Sequence, residues 1–388
     1  MMPHSARVRL TLLALVALLI PLAGCASDVA VRRITSPQAM AAGIPQGATQ
    51  HRILVATTRA ADPDPDILFS GERHPGLNFA EITVSVPPDH QTGETERVSR
   101  GLPDPAKHFV ATAIRPVSSA DAFEKAAAAG GKDDVLVFVH GYRNTFADAL
   151  FRITQIVHDT GFQGTAILFS WASRGRALDY IYDRDSATAA RDALEETLRL
   201  AEKARPRRID IIAHSMGTWV TMEALRQLKI ANDPTLGGRL GDVILASPDI
   251  SADVFKAQMQ RYGKPKTPFF VLLSRDDRAL QVSQVLAGNK PRLGAYANDK
   301  EIAELGVVVV DLTEAGSSGI NHTKFAQNPQ LVTMLGARLR GGEKFQPDRN
   351  RLGDSLLSLG VGVGSVLEST ARVIITTPQA VFQTALPQ

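Results

Sequence analysis

The feature that most constrains this chain is a repeated alternation of short β-branched runs with longer stretches of helical apolar spacing. Strands are expected at 52–57, 80–86, 108–114, 134–139, 165–170, 208–213, 242–247, 268–274 and 306–312. Helical patterns lie near 144–160, 184–204, 217–230, 251–261, 278–287 and 325–339. From 134 onward the strand runs are apolar on both faces, as in a parallel sheet covered by helices on each side. Strand, helix, strand in strict succession requires right-handed crossovers and predicts a doubly wound α/β domain. The strands at 52 and 80 have no helix between them, so they are expected to pair antiparallel at the sheet edge. The stretch 60–79, with Pro63, Pro65, Gly71, Pro75 and Gly76, reads as a long loop. Residues 288–305 form an insertion before the last strand, placed to roof a site.

The N-terminus has a different character. Arg7 and Arg9 form a short basic region, and Leu10 to Leu22 an apolar one broken by Pro21. That run is too short for a spanning helix. It ends at Leu22-Ala23-Gly24-Cys25, which resembles the lipobox of bacterial lipoproteins. The resemblance implies cleavage before Cys25 and acylation of its sulfur and new amine, each buried CH2 contributing about 0.8 kcal/mol. It also implies, from Ala26, sorting to the outer membrane of the cell envelope, facing the periplasm. Cys25 is the only cysteine, so no disulfide forms within one chain. The organisation expected is a signal peptide at 1–24, a lipidated cysteine and flexible tether at 25–50, a catalytic domain at 51–340, and a tail at 341–388. The apolar stretch Leu356 to Leu367 makes that tail either a packed helix or a membrane-surface contact.

The formal net charge of +3 invites a nucleic-acid reading. Removing Arg7 and Arg9 from the 43 basic residues leaves 41 against 40 acidic ones, so the remaining chain is nearly neutral. Without a basic run interleaved with aromatics, a phosphate-tracking surface is not expected. No G-x-G-x-x-G follows a strand, so no dinucleotide cofactor is expected, and no metal centre either. The partners expected are the membrane, through the anchor, and a small-molecule ester or lipid substrate; the sequence does not specify whether a protein partner exists.

The chemistry concentrates at Ala213-His214-Ser215-Met216-Gly217, after an apolar strand and at the opening of a helix. A serine nucleophile projects from such a sharp turn only if its neighbours at two residues either side are small, as Ala213 and Gly217 are. The helix N-terminus also aims N–H groups at a developing oxyanion. A serine hydroxyl needs a base within reach. Of nine histidines only His322 follows Ser215 in the chain, in a loop after the last strand. The side chain of His214 is expected to project away from the serine. The acid is open between Asp277 and Asp276, which follow the strand at 268–274, and Asp249, which follows the one before it. Trp171 is either a pocket wall or core, and Tyr180 and Tyr182 share that ambiguity.

These stretches resemble a poorly characterised family of bacterial α/β hydrolases, many of them predicted lipoproteins. The resemblance rests on ILVATTR (53–59), EITVSVPPDHQTGE (81–94), VFVHGYRNTF (137–146), FSWAS (169–173), IIAHSMGTW (211–219), ASPDI (246–250), SRDDRAL (274–280) and NHTKF (321–325). It implies an α/β-hydrolase fold and a triad of Ser215, Asp277 and His322. The His140-Gly141 turn resembles the one that precedes an oxyanion donor in such folds, which implies Tyr142 and Met216 as the two amides. The activity it implies is serine-esterase or lipase-like, with peptidase, amidase or an idle binding module as alternatives; fold alone does not choose the substrate.

Overall fold

The computed structural model describes residues 29–129, 134–267, 269–314, 321–341 and 374–377. Cys25, the expected signal peptide and most of the tail fall outside these residues. Ten strands form one sheet among the described residues: β1 (Thr49–Ala61), β2 (Phe69–Val86), β3 (Val110–Val117), β4 (Asp134–Val139), β5 (Thr165–Ser170), β6 (Arg208–His214), β7 (Leu240–Ala246), β8 (Phe269–Leu273), β9 (Val307–Asp311) and β10 (Ile374–Thr376). Their order is β10-β9-β8-β7-β6-β4-β5-β1-β2-β3. Strands β1, β5, β4, β6, β7, β8 and β9 run parallel, whereas β2, β3 and β10 are antiparallel to their neighbours. All nine expected strands are present, and the architecture is the α/β-hydrolase fold.

Alternate residues of the central strands fill two cores. Val135, Val137 and Val139 of β4 face the helices Arg191–Lys203 and Gly217–Ile230, and Leu136 and Phe138 face the helix Phe146–Thr160. Each such side chain contributes about 1.5–3 kcal/mol on burial, which is why these runs read as continuously apolar. From β4 the chain crosses to β5 on one side and then to β6 on the other. The order of winding therefore reverses at β4, and the C-terminal ends of β4 and β6 border the crevice where open α/β sheets bind ligands.

Three expectations are corrected. Most of 60–79 is strand: β1 and β2 extend past the sheet as a two-stranded arm. Their register jumps from Thr57↔Asn78 to Arg59↔Arg73, so Pro75 and Gly76 sit in a bulge where no ladder bond is lost. Residues 29–50 are not a free tether. Ile34 is fully buried, its N–H bonds Asp66 O at 2.7 Å, and Thr35 Oγ1 donates to Ala111 O at 2.8 Å. Ser36 caps a short helix, Pro37–Ala42, by accepting from Ala39 N–H. Composition alone reads Ala, Ser and Pro as linker, but one buried isoleucine anchors the segment. Finally, the pattern 184–204 is two helices, Tyr180–Ala189 and Arg191–Lys203, joined at Ala190.

The insertion 288–305 is laced into the domain by its backbone: Leu293 N–H bonds Ile250 O at 2.8 Å, and Ser274 N–H bonds Gly294 O at 2.8 Å. It lies between the ends of β7 and β8.

Candidate active site

At the end of β6 the backbone reverses into the helix Gly217–Ile230, and Ser215 takes the left-handed conformation, φ +53°. For a residue with a Cβ this costs about 1–2 kcal/mol, so the surroundings must impose it. They do so by hydrogen bonds on both sides of the residue. Ser215 N–H donates to Ala246 O at 2.9 Å, and Ser215 O accepts from Asp249 N–H at 3.2 Å and Thr218 Oγ1 at 2.6 Å.

Two glycines let β4 and β6 end this close together. A Cβ on Gly141 would lie 2.6 Å from the Ser215 Cβ, and one on Gly217 would lie 2.3 Å from His140 O. The clash at Gly217 is with backbone, which has no rotamer by which to yield. Gly141→Ala presses instead on the serine itself. It is expected to cost about 1–3 kcal/mol of stability, measured by urea denaturation, and to lower kcat by misplacing Ser215.

His322 follows the described strand β9, and its Nδ1 lies 2.7 Å from Asp277 Oδ2. Asp277 is fully buried, whereas His322 keeps 13 % of its side chain accessible. The other oxygen, Asp277 Oδ1, accepts the N–H groups of Ala279 and Leu280 at 3.0 and 3.1 Å, capping the helix Arg278–Leu286. One carboxylate therefore caps a helix and holds an imidazole, and the cap fixes the direction in which the second oxygen points. Among the described residues no hydrogen bond joins the Ser215 hydroxyl to the His322 ring. Such bonds are often long without substrate and tighten when it binds.

The other two acids are engaged elsewhere. Asp249 lies 3.1 Å from the buried Arg292 and accepts from Ser283 and Tyr180. Asp276 accepts from Asn321 Nδ2 at 2.8 Å and from Lys324 Nζ at 2.9 Å, on either side of His322. It thus ties down the loop that carries the histidine. Lys324, only 2 % exposed, also donates to Leu312 O and Thr313 O.

His214 has a partner the sequence does not reveal. Its ring packs 4.7 Å from that of His322, and Nε2 lies 3.0 Å from His322 O. Burial holds its pKa well below the ordinary value, so the ring is neutral and donates Nε2–H to that carbonyl.

Met216 follows Ser215 in the chain, and Tyr142 follows Gly141, the glycine that lies against the Ser215 Cβ. Met216 is the N-cap of the helix Gly217–Ile230. Neither amide donates to a backbone carbonyl among the described residues. The turn bearing Tyr142 is braced from below by groups that sequence reading passes over. Asp183 accepts from Arg143 N–H and Ser173 Oγ, and Ser173 Oγ accepts from Asn144 N–H. Fully buried Arg59 donates to Asn144 O at 2.8 Å, Ser173 O at 2.7 Å and Ser170 Oγ at 2.8 Å. In the sequence Arg59 is one of two arginines in its strand, with nothing to set it apart from Arg52. Trp171, a candidate pocket wall, is core instead. It is fully buried, stacks on His140 at 4.9 Å, and donates Nε1–H to His140 O. Tyr180 is also buried, whereas Tyr182 stacks under Arg174 at the surface.

His140 carries a pH consequence. Burial, and secondarily the Arg59 guanidinium, push its pKa from 6.5 down to about 3. The unfolded chain takes up this proton near 6.5 and the folded one does not until about 3. Stability is therefore full above 6.5 and falls as pH drops toward about 3, by up to about 1.4 kcal/mol per pH unit. Urea melts through this window are expected to show that slope, and a His140→Gln variant to show a shallower one.

A family model described as "Alpha/beta hydrolase of unknown function (DUF900)" matches residues 116–338. Among solved structures the chain is similar to lipase B of Aspergillus fumigatus, at 15 % identity over 63 % of this chain and 66 % of the lipase, TM-score 0.38. It is also similar to the carboxylesterase CesB of Bacillus subtilis, at 10 % identity over 76 % of this chain and 93 % of the esterase, TM-score 0.31. The chain thus spans 66 %, just under two thirds, of the lipase's length. No curated protein sequence matches it.

Proposed function

Since the chain belongs to the α/β hydrolases of unknown function that this model describes, we propose that this hydrolase cleaves carboxylic esters through Ser215, His322 and Asp277. The observation that carries the reading is a left-handed serine (φ +53°) whose chain neighbour His214 packs on a histidine with its Nδ1 held at 2.7 Å by a buried carboxylate. Backbone strain of this kind persists where surrounding structure over-determines it, and it clusters at active sites. Ser247, just after β7, shares the conformation at φ +46°, but His322 rests on His214, the neighbour of Ser215.

In this proposal Ser215 Oγ attacks the ester carbonyl carbon while His322 Nε2 takes the hydroxyl proton. Asp277 keeps the second imidazole proton on Nδ1 and stabilises the imidazolium. The Tyr142 and Met216 amides hold the oxyanion, each contributing about 2.7–4 kcal/mol to the transition state. His322 returns its proton to the departing alkoxide, and water then cleaves the acyl-enzyme by the same steps. Short-chain nitrophenyl esters are expected to turn over faster than the corresponding peptide anilides; the reverse order makes the enzyme an amidase. Attachment to the membrane through lipidated Cys25 belongs to the same proposal, and a Cys25→Ser chain is then expected to leave the membrane fraction.

A further inference from the structure

A second cluster of reactive side chains lies at the opposite edge of the sheet from Ser215. The helix Phe146–Thr160 starts beside the end of β4 and runs back to the start of β5, carrying His158 and Asp159 in its last turn. There it meets His90, from the segment after β2, and His51, near the start of β1. One donor atom from each of His90, His158 and Asp159 lies within 4.8 Å of the others.

The surroundings hold these donor atoms as a metal site would. His90 Nε2 faces Asp159 Oδ1 at 2.8 Å, and its Nδ1 faces Glu96 Oε2 at 2.8 Å. Ligating histidines usually give their second N–H to a carboxylate, which fixes ring and tautomer. His158 Nδ1 is held in turn by His51 Nε2 at 3.0 Å. Asp159 Oδ2 accepts from Gly93 N–H at 2.7 Å and Gln155 Nε2 at 2.6 Å, leaving Oδ1 turned to His90. The His90 and Asp159 side chains are 5 % and 2 % exposed. Gly93 adopts φ +91° and is pressed against Gln327, so the amide that holds Asp159 is itself fixed.

We propose that His90, His158 and Asp159 bind a divalent transition-metal ion, with zinc as the best fit to two imidazoles and one carboxylate. The ion displaces to solvent the proton that His90 Nε2 and Asp159 Oδ1 share, and His90 keeps Nδ1–H on Glu96. The charges of Asp159 and Glu96 balance a dication. Bonds of about 2.0–2.2 Å set tetrahedral ligand atoms about 3.3–3.6 Å apart, so the 2.8 Å His90–Asp159 contact opens slightly and His158 adjusts within the present 4.8 Å, both by small side-chain rotations. Because its ligands come from the segment after β2 and from the helix Phe146–Thr160, the ion clamps the antiparallel edge of the sheet to the doubly wound part.

The test is calorimetric titration of Zn2+ into the purified full chain after chelation, with thermal unfolding followed in parallel. One saturable site and a raised unfolding midpoint are expected, with no midpoint shift from Mg2+. His90→Gln and Asp159→Asn are each expected to weaken Zn2+ binding about tenfold or more, and Glu96→Gln about 10–100-fold. His74→Gln, at an exposed position, is expected to bind as the wild type does. Absence of saturable Zn2+ uptake by the wild type overturns the proposal, as does unchanged affinity in Glu96→Gln and Asp159→Asn. Those two variants carry the comparison if His90→Gln does not fold.

Discussion

Ser215→Ala is expected to lower kcat on a nitrophenyl ester by roughly a millionfold while leaving the fold and its melting point close to those of the wild type. The substitution removes one oxygen and keeps the Cβ, so the left-handed strain at φ +53° stays. Ser215→Gly separates the two quantities further. Glycine adopts this conformation without penalty, and the relief is worth about 1–2 kcal/mol, offset in part by the freer unfolded chain. An equally inactive protein that melts higher than the wild type is therefore expected. A residue whose loss abolishes turnover and raises stability is held in place for chemistry. If Ser215→Gly instead melts lower than Ser215→Ala, the strain assigned to this turn is absent.

Asp277 offers the second large effect, because its two oxygens have separate duties. Asparagine caps a helix about as well as aspartate, so Asp277→Asn is expected to keep the Ala279 and Leu280 bonds and lose little stability. Its amide presents the wrong group to His322 Nδ1, and kcat is expected to fall roughly ten-thousand-fold. Asp277→Ala loses both duties and adds about 1 kcal/mol of destabilisation from the missing cap. Comparing the two by ester kinetics and urea melts distinguishes the histidine-orienting role from a purely structural one. Near-wild-type turnover in Asp277→Asn refutes the orienting role and turns attention to Asp249 and Asp276.

The fold was legible in the sequence because its central strands are buried on both faces. A run such as Val135 to Val139 then carries its own signature. The turn at Ser215 was legible for a related reason, since small residues must sit where strand and helix crowd. The extended arm of β1 and β2 was not legible. Proline and glycine mark loops by average preference, and the pairing of Arg59 with Arg73 that overrides it is non-local. Arg59 and Lys324 were missed because a buried cation looks like a surface one in sequence; only its ring of carbonyl acceptors sets it apart. His51, His90 and His158 lie too far apart along the chain to form a motif, and the return of the helix to the sheet edge brings them together.

The most direct test of the central claim is covalent labelling of the intact chain with a fluorophosphonate probe, followed by identification of the modified residue. The wild type is expected to be labelled on Ser215, with labelling lost in Ser215→Ala and strongly slowed in His322→Ala. Equal labelling of wild type and Ser215→Ala would contradict the account.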